Sequence, residues 1–132
     1  MSYTTLTSSP TSSSSVAAFL YSTLVVDFVD ALVASPAPYM PTNTTLNVNF
    51  APMSTACSTA SAYKFVLTRI YEDPSATDVT TCGSSHLPDE AFAITQGCIA
   101  TVSVMDAWTK GDVSAAKQGA IQSRLSSILQ CL

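Results

Sequence analysis

Four cysteines, Cys57, Cys82, Cys98 and Cys131, sit in a 132-residue chain of which only 11% is charged. That pairing of features limits the fold more than any other. An even number of cysteines in a small domain finished with Ser and Thr rather than Lys and Glu reads as two disulfides in a secreted protein. Four cysteines allow three connectivities. The favoured one is Cys57–Cys82 with Cys98–Cys131, because each bridge then brackets one structural unit. Loops of that size are worth about 3–4 kcal/mol per bridge in the chain-entropy account. A four-thiolate zinc site would need CxxC pairs, and none is present.

Ser2 to Ser15 is almost wholly Ser, Thr and Pro. Such a stretch has too little apolar surface to offset its ordering entropy, and Ser/Thr tracts with Pro are typical of O-glycosylated stalks. Residues 1–15 therefore read as a linker, and residues 16–132 as the one disulfide-stabilised domain it carries. Net charge is −4, and the basic residues are five: Lys64, Arg69, Lys110, Lys117 and Arg124. That is too few for a phosphate-binding stripe, which argues against nucleic acid and against anionic membrane surfaces. A neutral polymer remains compatible.

From Val16 to Ala34 the polar residues Ser22, Thr23, Asp27 and Asp30 share one helical face, and Phe19, Leu20, Leu24, Val25, Phe28, Val29 and Leu32 fill the rest. This predicts an amphipathic helix with a wide buried face, capped by Ser15. No basic region precedes it and two carboxylates lie near its middle, so it reads as neither signal peptide nor membrane span, and Met1 as an added start. The prolines Pro36, Pro38 and Pro41 end it. Leu46, Val48 and Phe50 alternate with Asn47 and Asn49 as in a short strand. Tyr63 to Tyr71 reads as a second strand, with Phe65, Leu67 and Arg69 on the same face as the two tyrosines. Pro88-Asp89-Glu90 begins a short helix, and Ile99–Met105 makes a third strand with Ala100, Val102 and Val104 toward the core. Asp112 caps a final helix carrying Val113, Ala116, Ala120, Ile121, Leu125, Ile128 and Leu129. The sum is an α+β domain: a small antiparallel sheet packed by an N-terminal and a C-terminal helix.

The segment Cys98-Ile-Ala-Thr-Val-Ser-Val-Met-Asp-Ala-Trp-Thr-Lys-Gly-Asp-Val-Ser-Ala-Ala, with the later Leu125-Ser-Ser-Ile-Leu-Gln-Cys-Leu132, resembles C-terminal accessory regions of fungal secreted chitinases and related wall-active hydrolases. Those regions share the layout of a Ser/Thr-rich stalk and a cysteine-bearing domain that ends in a helix and a final Cys. The resemblance implies an accessory module without chemistry of its own, attached to a polysaccharide hydrolase. It carries over no binding residue.

The residues themselves nominate Trp108. An aromatic face desolvates the apolar side of a pyranose, and adjacent polar groups orient the hydroxyls. Asp106 and Lys110 flank Trp108 in a strand–helix turn, and Tyr63 and Tyr71 would extend the platform from a neighbouring strand. Tyr39 has a weaker claim. His86 is the only histidine, and without a GxSxG elbow it reads as a solvated loop residue rather than a triad base. Asp27 with Asp30, and Asp89 with Glu90, read as a solvated helix face and a helix start rather than as a glycosidase pair or a metal cage. Asn43-Thr44-Thr45 is an N-glycosylation acceptor. The expectation is a secreted, monomeric, cofactor-free module that holds chitin or β-glucan for a tethered catalytic domain. The competing reading is a small secreted protein- or lipid-binding effector with an apolar groove lined by its first helix. A small hydrolase built on His86 is a third.

Overall fold

A computed structural model describes residues 13–132. The expected linker lies outside the described residues except for Ser13–Ser15, which form the first turn of helix α1 (Ser13–Val33). Ser15 is thus inside the helix and not its cap. Strand β1 (Thr44–Phe50) follows, then a 3-10 turn (Ala60–Ala62), β2 (Lys64–Thr68), the short helix α2 (Glu90–Ala93), β3 (Ile99–Asp106) and α3 (Ala115–Arg124). The architecture is the expected α+β arrangement, with helices at both ends of the chain packed on a three-stranded sheet.

The sheet is mixed. Its order is β1-β3-β2, with β1 antiparallel and β2 parallel to the central strand. The parallel pair sets the disulfides, which are Cys57–Cys98 and Cys82–Cys131 rather than the sequential pairs expected. Parallel strands begin at the same end of a sheet. Cys57 precedes β2 and Cys98 precedes β3, and the Lys64 amide donates to the Cys98 carbonyl at 2.9 Å, so Cys57–Cys98 staples two strand beginnings. Cys131 then meets Cys82 because the chain after α3 returns to the outer edge of β2. Bonds of this kind persist in oxidising compartments outside the cytoplasm.

Ala100, Val102 and Val104 face the core as expected, against Leu24, Phe28, Ile121 and Leu125. The opposite face of β3 is equally buried. Thr101 and Ser103 are fully covered, with Ser103 Oγ 2.7 Å from Thr68 Oγ1. Glu90 of α2 closes this polar side: its Oε2 accepts from Asn47 Nδ2 at 2.8 Å and from Ser103 Oγ at 3.3 Å. Asp89 is the α2 cap, accepting from the Phe92 amide at 2.9 Å.

Along α1, Leu20, Leu24, Phe28 and Ala31 recur every three or four residues and are buried. Tyr21 stacks on Phe50 and Phe28 on Phe65, with centroids 5.8 and 5.9 Å apart. The buried face is narrower than the sequence predicts, since Phe19, Val25, Val26, Val29 and Val33 stay exposed. The sheet is only three strands wide and covers one side of the helix. By length and composition α1 is long and apolar enough to cross a bilayer; here it packs along the sheet. Arg124, at the end of α3, gathers the chain that leaves α1, donating to the carbonyls of Leu32, Ser35, Pro36 and Pro38 at 2.8–3.0 Å while lying over the Tyr39 ring.

Candidate binding surface

Because β2 and β3 are parallel and β1 antiparallel, the end of the sheet at Asp106 gathers three connections: the turn before β1, the exit from β2 and the loop after β3. The Ala107 amide donates to the Asn43 carbonyl at 2.9 Å. Asp112 receives the Ile70 amide on Oδ1 at 2.7 Å and the Tyr71 amide on Oδ2 at 3.1 Å. That use of Asp112 explains why it is not the helix cap: its carboxylate is turned to the end of β2, and Ser114 caps α3 instead. Trp108 and Tyr71 are therefore brought to one end of the domain, 83% and 63% exposed.

The Trp108 loop is held by its own backbone. Asp106 Oδ1 accepts from the Trp108 and Thr109 amides at 2.9 Å each, and the Lys110 amide returns to the Asp106 carbonyl at 2.9 Å. Lys110 sits at φ 61°, and its Nζ donates to the Ala107 carbonyl at 2.6 Å. Asp106 and Lys110 thus shape the turn that presents the indole. The Thr109 amide, with that of Trp108, holds the Asp106 carboxyl below the usual carboxylate range. A depressed pKa keeps the cap charged as pH falls, so the turn is intact above the ordinary carboxylate value and loosens only below the lowered one. The Trp108 turn should accordingly keep its shape as pH falls through about 4 and loosen only at lower pH, as read by the indole fluorescence of the single tryptophan. A fluorescence transition with its midpoint at or above that value would mean that Asp106 does not hold the loop.

Tyr63 does not belong to this surface. It precedes β2, is buried, and its hydroxyl donates to the Ala51 carbonyl at 2.8 Å; burial, with Tyr21 nearby, pushes its phenol pKa up. Tyr63 and Tyr71 were expected to share a strand face, but β2 ends at Thr68 and Tyr71 lies beyond it. Tyr39 is exposed under Arg124, on the α1 side of the domain. Among the described residues the His86 ring has one hydrogen-bond partner, the Ala76 carbonyl at 3.4 Å, and no ion pair with an acid. Asp27 and Asp30 are exposed on α1. Among the described residues no three of His, Cys, Asp and Glu gather closely enough to share a metal ion.

Sequence reasoning passed over one cluster altogether. Arg69 is buried, pairing with Asp78 and lying 3.5 Å from Asp112. Asp78 also accepts from Gln118 Nε2 and the Leu87 amide, both at 2.9 Å. This network fixes Asp112, and through it the exit of β2 beside the Trp108 loop. Comparison with family models, curated proteins and solved structures finds no match to the chain.

Proposed function

We propose that this domain is a non-catalytic carbohydrate-binding module of a secreted, glycan-active protein, holding a neutral polysaccharide such as chitin or β-glucan for a tethered catalytic domain. The observation that carries the reading is Trp108: a large ring, 83% exposed, on a backbone turn fixed by Asp106. The turn that carries the ring is already ordered, so the backbone there loses little conformational freedom when a sugar stacks on it. Tyr71 offers a second face at the same end. The net charge of −4 suits an uncharged ligand. Tethering then raises the local concentration of the catalyst at the polymer.

Trp108→Ala should weaken retention on insoluble chitin or β-glucan by about 1–3 kcal/mol, the magnitude of stacking a nucleobase on one aromatic side chain, and Tyr71→Ala by less. Trp108 is largely exposed, so the variant should unfold at the wild-type temperature. Equal pull-down of wild type and folded Trp108→Ala on a polymer that retains the wild type would remove Trp108 from the binding surface. The protein- or lipid-binding alternative draws on a separate observation, the exposed Phe19, Val26 and Val29 of α1; no retention on any polysaccharide by the wild-type domain would favour it.

A further inference from the structure

The outer rim of β2 is closed at two points and open at one. Along a parallel strand the peptide groups of alternate residues bond to the neighbour. Since the Lys64 amide bonds to Cys98, Lys64, Val66 and Thr68 direct their peptide groups at β3, and Phe65, Leu67 and Arg69 direct theirs outward. The Phe65 carbonyl accepts from the Gln130 amide at 2.8 Å. Arg69 is paired on both groups, its amide to the Pro88 carbonyl at 2.9 Å and its carbonyl to the Glu90 amide at 2.8 Å. Between them the N–H and C=O of Leu67 have no partner among the described residues.

A cavity of about 520 Å³ opens on this gap. Val66 and Leu67 both line it, although consecutive strand residues point to opposite faces; only a cavity on the strand's edge meets both. Leu87 and Leu129 form apolar walls, and the Cys82–Cys131 bridge ties the two wall segments together. No Asp, Glu, Lys or Arg lines it. A main-chain donor and acceptor on one edge, pointing the same way, are complementary to one residue of another extended chain, which presents its own N–H and C=O on one side. A single amide cannot meet both, because its N–H and C=O point in opposite directions. From Phe65 to Arg69 the rim measures about 13 Å, and the chain already occupies both ends.

We propose that this cavity binds one extended, uncharged, apolar residue of a short peptide, paired through both of its main-chain groups to Leu67, with its side chain between Leu87 and Leu129. The site is separate from Trp108 and independent of the glycan reading. The probe is N-acetyl-leucine N-methylamide, added in large excess to the isotopically labelled full chain, with amide exchange read residue by residue. Exchange of the Leu67 amide should slow at least tenfold while that of Trp108 does not change. Ser126→Trp, which places a large ring in the cavity from an exposed position, should abolish the protection in a protein whose other amide resonances are retained. Trp108→Ala should leave it intact. Unchanged Leu67 exchange at saturating probe, or a Leu67 amide already protected as strongly as Val66 in the free protein, would overturn the proposal. Equal protection by N-acetylglucosamine would overturn the peptide assignment.

Discussion

Asp78→Ala should lower the unfolding free energy by about 3–5 kcal/mol, the usual cost of removing one partner from a buried ion pair. The side chains of Arg69 and Asp78 are only 8% and 1% exposed. A guanidinium is a permanent charge in proteins, and without Asp78 the carboxylate oxygen nearest that of Arg69 belongs to Asp112 at 3.5 Å. The Gln118 amide and the Leu87 N–H lose their acceptor at the same time. The network joins the exit of β2, the loop before α2 and the face of α3, so the loss is global and not confined to a loop. Asp78→Asn keeps the shape but has one acceptor oxygen where Gln118 Nε2 and the Leu87 amide use two. It therefore keeps one of these hydrogen bonds, turns an NH2 toward the other donor and leaves the guanidinium short of a counter-charge; it should fall between wild type and Asp78→Ala. Urea denaturation with an unchanged slope reads the effect. A loss under about 1 kcal/mol, the range of exposed pairs, would show that water reaches Arg69.

That cluster marks where sequence reasoning stopped. Periodicity exposes elements whose two faces differ in polarity, and β3 was legible because Ala100, Val102 and Val104 alternate with Thr101 and Ser103. The alternation did not reveal that the polar side is also covered, since a Ser–Thr–Glu contact under α2 looks in sequence like a wet surface. Periodicity gives Arg69 a strand face but no partners, because β2 ends at Thr68 and Asp78 and Asp112 come from loops of no periodicity. Trp108 and Asp106 were read correctly as a turn, the hydrogen bonds there being local. Tyr63 was misplaced because β2 is shorter than its run of β-formers, and the extra residues at each end serve other contacts. The apolar content of α1 was plain; how much of it a three-stranded sheet can cover was not.

The disulfides carry the second large effect, and they also test the strand order. Cys57→Ala with Cys98→Ala should cost about 4 kcal/mol, the chain-entropy value for a bridge of this span, and lower the melting temperature by about 15 °C for a domain of this size. Cys57 is buried in the core and its bridge spans 41 residues, so the variant also loses packing where β2 and β3 begin. Cys82 and Cys131 are both exposed, and reductant should open that bridge first, with alkylation trapping those two thiols while Cys57–Cys98 stays closed. Peptide mapping of the unreduced protein should recover Cys57 linked to Cys98. Recovery of Cys57 linked to Cys82 would contradict the parallel pairing itself: β2 and β3 could not then begin side by side, the Lys64–Cys98 hydrogen bond would be lost, and Tyr71 would no longer stand at the same end of the sheet as Trp108.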